Sequence, residues 1–351
     1  MEGRRRRFLI SMTILMVGMH NSVLTLESSK SGWNSRESLK ETSPHSIAFD
    51  PLNSGRAYCA TFGNGLWRTD DNGQTWSNIG KDVISSPYVM SVAVSSLNSG
   101  KMFNKVYAGT EPSALYTSND GGDSWERMES LNSLSSSKSW SFPPRPWTHH
   151  VRWIEPDANN PDYVFAAIEA GALVQSHDGG KTWIDRNQQG PYDTHTLATH
   201  SKAPKRLYSS AGDGYFESFD YGETWTRPME GLGHDYLFGI AVDSSDPEVV
   251  IVSASNGPSR SYVTESAETF VYRKDPGGNG WEVVKDGLPE PRGSTMMSFT
   301  SNVKTPREFY VVNNHGLFFS TDSGSSWKKL DILWPREYLQ QTPRAIAINE
   351  R

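Results

Sequence analysis

The stretch SHDGGKTW at residues 176–183 recurs along the chain in altered form. Its relatives are TDDNGQTW at 69–76, SNDGGDSW at 118–125, SFDYGETW at 218–225 and STDSGSSW at 320–327. The shared pattern is Ser or Thr, any residue, Asp, any residue, Gly, two residues, Trp. A degenerate sixth copy, YRKDPGGNGW, ends at Trp281, with one extra residue between Asp275 and the Trp. The tryptophans stand roughly 40 to 60 residues apart, the length of a four-stranded propeller blade. A repeat of this kind buries its core only by stacking on its neighbours, so it constrains the whole chain.

Each part of the repeat has a local physical task. A short Asp side chain accepts hydrogen bonds from the N–H groups of its own turn. Gly73, Gly122, Gly180, Gly222 and Gly324 provide a backbone with positive φ. The Trp starts the next strand and buries its ring against the hairpin. Apolar runs precede each copy, as in GLWRT, ALYTS, ALVQS and GLFFS. The unit reads strand, tight turn, strand. The repeated aspartates are therefore read as architecture, since a catalytic Asp is rarely repeated once per hairpin.

These residues resemble the Asp-box, or BNR, repeat of sialidases, xyloglucan-processing glycosidases, sortilin-type receptors and photosystem II assembly factors. The resemblance implies a β-propeller, with the repeat on the hairpin between the third and fourth strands of each blade. It implies little about chemistry, because the fold hosts many functions. The sialidase pattern also expects a Phe/Tyr-Arg-Ile-Pro segment with two further arginines. PPRPW at 143–147 is only a faint echo of it. Xyloglucan-processing relatives are usually built from two propellers, and this chain has room for one.

Inner strands are expected at HSIAFDP, SVAVSS, HVRWIEPD, HTLATHS, FGIAVDSSDP and TMMSFTSN, giving six blades between residues 45 and 335. The C-terminal PRAIAINER reads as a seventh inner strand. Its complement is the N-terminus, because MHNSVLTLESSKSGW (19–33) aligns without a gap under NNHGLFFSTDSGSSW (313–327). Residues 8–18, 22–27 and 33–37 then form three strands of a blade whose first strand is 344–350. The expectation is an all-β, single-domain chain over 1–351, a seven-bladed propeller of four-stranded antiparallel blades closed by both termini. A closed ring removes free sheet edges. The alternative is six blades behind a cleaved leader, since four arginines and an apolar run open the chain. The chain is read as cytoplasmic, or as exported if residues 1–25 are a signal peptide.

A net charge of −6 without a broad basic face argues against nucleic acid, and no membrane partner is expected. Cys59, the sole cysteine, excludes a disulfide framework and a multi-thiolate metal site. In a propeller, the loops entering the inner strands share one face with the loops between second and third strands. Seven of the nine histidines fall on that face, leaving His177 and His200 elsewhere. Glu111 and Glu169 each stand fourteen residues before a repeat Trp, at equivalent places in adjacent blades. His149, His195 and His234 open successive inner strands, where residues are expected to look toward the central axis.

The expected catalytic residues are His149, His150, Glu111, Glu169 and Arg292. His45, Tyr88, Trp147 and Arg344 are expected to bind ligand. His45, His149, His195 and His234 are the candidate ligands of a divalent metal ion, since neutral imidazole is a common metal ligand. Arg145, Arg152, Arg292 and Arg344 suit a carboxylate or phosphate. The insertion at 131–150, with Trp140, Phe142 and Trp147, is expected as a wall or lid on the same face. The reading is a funnel enzyme, hydrolase or lyase, for a small polar or carbohydrate-like ligand. A glycosidase using paired carboxylates such as Glu111 and Glu169, and a non-catalytic binding or assembly module, are the alternatives.

Overall fold

A computed structural model describes residues 12–97, 102–278 and 280–350. Seven antiparallel sheets form a seven-bladed β-propeller. Five blades are four-stranded, and in the other two the fourth strand shrinks to single bridges, Gln175–Ile184 and Glu217–Thr226. The inner strands of blades 1 to 6 are Pro44–Phe49, Val89–Val94, Val151–Pro156, Thr194–Ala198, Tyr236–Asp243 and Ser298–Ser301. Ala345–Glu350 is the seventh, and it adjoins both its predecessor and Pro44–Phe49.

The closing blade is shared by both ends of the chain. Thr13–Gly18 pairs with Ala345–Glu350 on one side and Val23–Ser29 on the other, and Gly32–Ser38 completes the sheet. Residues 8–11, expected in the first of these N-terminal strands, lie outside the described residues. Alternation along Thr13–Gly18 serves two neighbours at once, because successive strand residues face opposite sides. Leu15 and Val17 pack with Tyr310 and Val312 of blade 6, while Met16 packs with Ile47 and Cys59 of blade 1. Cys59 is therefore a buried core thiol. Among the described residues, no helix is long and apolar enough to cross a membrane.

The five repeated turns share one hydrogen-bond network. In the second, Ser118 Oγ donates to Asp120 Oδ1 at 2.8 Å and accepts from Gly122 N at 2.8 Å. Asp120 also accepts from Ser124 N at 2.9 Å and Ser124 Oγ at 2.5 Å. The same contacts recur around Asp71, Asp178, Asp220 and Asp322. The hydroxyl residue before each Trp (Thr75, Ser124, Thr182, Thr224, Ser326) is thus part of the pattern, a regularity the sequence reading passed over. Each glycine permits close approach as well as positive φ. At Gly324, φ is +78° and a Cβ would lie 2.0 Å from Ile251 of the neighbouring blade. The copy at Asp275 has lost this network: Asp275 pairs with Arg273, and Trp281 donates to Pro228 O at 2.9 Å.

One irregularity positions the site. In each of blades 1 to 5 the inner strand slips register against its partner at the same place. The extra residues are His45, Met90, Arg152, His195 and Phe238, the last followed by Gly239. A β-bulge re-aims the side chain it carries. Four of these five residues, His45, Met90, Arg152 and Phe238, line one cavity at the propeller axis.

Candidate active site

The cavity has a volume of about 530 Å³. His45, Arg152, Phe238 and Arg344 also line a smaller void of about 50 Å³, so they mark the neck between the two. Phe142, Pro143, Pro144 and Arg145 of the insertion form one wall. The insertion is held in place. Ser135 Oγ and Ser136 N donate to Asp185 Oδ2 at 2.7 and 2.9 Å, and Trp140 is buried in the core.

A chain of charged groups runs behind that wall. Arg145 grips Glu111 through both carboxylate oxygens, Nε to Oε1 at 3.1 Å and Nη2 to Oε2 at 2.5 Å. Nδ1 of His150 lies 3.1 Å from Glu111 Oε2, a charge contact off the axis of an aligned hydrogen bond. Nε2 of His150 meets Glu169 Oε2 at 2.6 Å. Arg152 Nε stands 3.4 Å from the same oxygen. Phe142 packs edge-on against the His150 ring at 4.8 Å, and the Arg145 guanidinium lies over Phe62 and Phe142.

The electrostatics follow from this packing. Burial alone pushes Glu169 up, but the His150 hydrogen bond, with the charges of His150, Arg152 and His195, holds it down at about 2. Burial also opposes ionisation of Glu111, and its close contact with His150 and its bonds to Arg145 again win, so its pKa is lowered. Burial disfavours the charged His150 ring, yet Glu111 and Glu169 raise its pKa. His45 goes the other way: burial first, then Arg344 and Arg152, keep it well below the ordinary histidine value. Arg344 is depressed by burial and by Arg152.

A second group adjoins Glu169. Asp193 Oδ2 lies 3.6 Å and Glu169 Oε1 3.9 Å from His195 Nε2. Burial raises the pKa of Asp193, with Glu169 adding to the effect and His195 opposing it. Tyr236 OH stands 3.5 Å from His195 Nε2 and 3.4 Å from Tyr262 OH. Glu169, Asp193 and His195 together are the group among the described residues whose donor atoms are close enough to share a metal ion.

Several expected residues converge and several do not. His45, His150, Glu169 and Arg344 line the cavity, with Glu111 buried behind His150. The four-histidine metal set is not assembled. The His149 ring packs edge-on against Trp140, and His234 stacks on Phe270 with Nδ1 2.6 Å from the Tyr272 hydroxyl. The bulge explains this correction, since Arg152 and Phe238 occupy the axial positions of those two blades. Arg292 forms a backbone bridge to Glu268 and is absent from the cavity wall. Trp147 is 80% exposed, and Tyr88 packs on Phe62 outside the lining. Sequence reasoning missed Asp193, Tyr236, Phe62 and Phe238. Aligning His45-Ser-Ile-Ala, His195-Thr-Leu-Ala and Phe238-Gly-Ile-Ala would have located the axial ring.

No protein-family model matches the chain. A xyloglucanase, Xgh74A of Acetivibrio thermocellus, is 25% identical over 258 residues, covering 68% of this chain and 25% of that protein. A Paenibacillus xyloglucanase is 24% identical over 270 residues, covering 62% and 25%. The chain spans about a quarter of the length of these relatives. Among solved structures, the Niastella koreensis GH74 enzyme superposes with a TM-score of 0.62 at 17% identity, covering 90% of this chain and 54% of that one. YCF48 bound to D1 peptide gives 0.58 at 18% identity, covering 88% and 92%. At these identities the structural likeness establishes the fold.

Proposed function

We propose that the chain is an enzyme of hydrolase or lyase type whose axial cavity takes a small polar or carbohydrate-like substrate. The observation that carries this reading is the clamp on His150. Buried Glu111 and cavity-lining Glu169 flank the ring on its two sides, and among the described residues Glu169 keeps its second oxygen free of protein hydrogen bonds. A hydrogen-bonded imidazole–carboxylate pair at a cavity wall is the arrangement that proton transfer to or from a substrate requires. In this reading Glu169 and His150 are the catalytic residues. Glu111 and Arg145 are positioning residues that fix the ring. Arg152 and Arg344 bind substrate oxygens, and Phe62, Phe142 and Tyr236 offer faces on which a sugar ring can lie. The sequence likeness to two xyloglucanases supports a carbohydrate as the substrate class.

The test is release of reducing ends from a panel of neutral and acidic oligosaccharides, run on the wild type and on Glu169→Gln. Turnover of at least one glycan is expected, and it should fall by two orders of magnitude or more in the variant while the variant still unfolds cooperatively. Equal turnover in both proteins would exclude Glu169 from the chemistry. A second reading, a non-catalytic binding module, is favoured by one observation: the YCF48 structure matches this chain over nearly the whole length of both. Tight binding of a panel glycan or peptide without its consumption would select that reading.

A further inference from the structure

We propose that Glu169, Asp193 and His195 hold a divalent transition-metal ion at the wall of the axial cavity. The three donor atoms, Glu169 Oε1, Asp193 Oδ2 and His195 Nε2, lie within 4.8 Å of one another. Separations of 3.6 and 3.9 Å from the imidazole nitrogen approach the roughly 3.3–3.6 Å that bonds of about 2.0–2.2 Å set around a four-coordinate ion. The two carboxylate oxygens lie within 4.8 Å of each other, and both side chains would have to draw in to close on an ion.

Proximity alone would be a weak argument, but each donor is also fixed through its other atom by a group outside the cluster. Glu169 Oε2 is held by His150 Nε2 at 2.6 Å. Asp193 Oδ1 accepts from Ala170 N at 2.7 Å. His195 Nδ1 lies 2.5 Å from the carbonyl of Leu237, which can only accept, so Nδ1 carries the proton and Nε2 presents its lone pair. Outer contacts of this kind orient metal ligands and set the histidine tautomer. The His195 ring is completely buried, and its Nε2 has no donor nearer than the Tyr236 hydroxyl at 3.5 Å. Among the described residues, neither Glu169 Oε1 nor Asp193 Oδ2 has a hydrogen-bond donor. Three acceptors thus face one another at the cavity wall in the arrangement a cation would satisfy.

The packing preserves this arrangement. A Cβ on Gly212 would lie 2.1 Å from Asp193 Oδ2, so any larger residue there would displace the carboxylate. His150 and Arg152 both engage Glu169 Oε2, which leaves Oε1 for the ion. One imidazole and two carboxylates suit zinc or manganese, whereas magnesium and calcium favour all-oxygen shells. An ion held by these three residues would leave positions open to the cavity, where it could lower the pKa of a bound water.

The site is tested on the full chain without any substrate. After dialysis against a chelator, titration with zinc chloride and manganese chloride is followed by calorimetry, and metal content by elemental analysis. One equivalent of zinc or manganese is expected, with magnesium at least 100-fold weaker. Cobalt(II) should give visible absorption bands of a low-coordinate N/O site. Asp193→Asn keeps an oxygen for Ala170 N, and His195→Gln keeps a polar side chain of similar reach. Each should weaken zinc binding 100-fold or more while retaining cooperative unfolding. Absence of stoichiometric binding to the wild type, or unchanged affinity in both folded variants, would overturn the proposal. Because no substrate enters, an empty site leaves the funnel-enzyme reading standing, and a loaded site without glycan turnover removes only that reading.

Discussion

Nε2 of His150 stands 2.6 Å from Oε2 of Glu169, joining the loop that enters the inner strand of blade 3 to the loop that leaves its second strand. On its other side the same ring faces Glu111 of blade 2. Removing Glu111 would strand a buried imidazole and the Arg145 guanidinium together. Glu111→Ala is therefore expected to lower stability by about 2–4 kcal/mol, a little under the roughly 3–5 kcal/mol for breaking a fully buried charge pair from one side, because Arg145 is partly exposed. Glu111→Gln, which still offers one acceptor, should recover part of that loss. Urea denaturation of the three proteins measures it. Equal midpoints would mean that His150 does not depend on this partner.

The repeated turns give an independent test of architecture against chemistry. Asp178 accepts from Thr182 N at 2.9 Å, Thr182 Oγ1 at 2.6 Å and Ser176 Oγ at 2.8 Å. It does not line the axial cavity. Asp178→Ala should cost on the order of 1–2 kcal/mol, as loss of a side-chain cap does. Ligand or metal binding in the funnel should be unchanged. A variant that binds nothing while melting like the wild type would return these aspartates to the list of functional groups.

The blade count and the closing strand pair were legible because period and burial are written locally. Leu15, Met16 and Val17 are apolar in succession since both faces of their strand meet a neighbouring blade. The turns were legible for the same reason, being contained within eight residues, although the hydroxyl residue that completes each network was passed over. The site was legible only in part. Glu111, Glu169, His45 and Arg344 were found from their loops. The bulge at His45, Arg152, His195 and Phe238 was not, because an extra residue in a strand changes which side chain faces the axis without changing composition. That shift replaced His149 and His234 with Arg152 and Phe238 at the funnel. Asp193 was missed because its role depends on a glutamate 24 residues away, brought close only by the blade.

Closure through Thr13–Gly18 makes a prediction about the working chain. Ile14, Leu15, Met16 and Val17 are fully buried, and their strand bridges the C-terminal strand to Val23–Ser29. N-terminal sequencing of protein from its native host should therefore find Thr13–Gly18 retained. Deleting residues 344–350 should lower the melting temperature markedly, since the strand at Thr13–Gly18 would lose its partner and Arg344 would leave the funnel. A truncated protein that melts like the full chain would show that the seventh blade stands without its inner strand.

A partly buried carboxylate away from the funnel cavity should mark the pH dependence of stability. Glu155 lies in the inner strand of blade 3 and bridges to blade 4, where Oε1 accepts from Thr199 N and Thr199 Oγ1, both at 3.0 Å. Its Oε2 accepts from Trp153 Nε1 at 3.2 Å. Burial pushes its pKa from the ordinary 4.5 up to about 7, and these hydrogen bonds only partly offset the shift. A raised carboxyl means that the folded chain keeps a proton that the unfolded chain has already lost. Its contribution to stability is therefore full below about pH 4.5, declines as pH rises toward about 7, and is flat beyond. Allowing for partial exposure of the side chain, the decline should be on the order of 1–2 kcal/mol. Glu155→Gln cannot titrate, so its stability should change less than that of the wild type between about pH 5 and about pH 8. Urea unfolding at both pH values, on both proteins, gives the difference directly. Parallel profiles would mean that Glu155 is already ionised in the folded state and that its bonds to Thr199 and Trp153 outweigh the cost of burial.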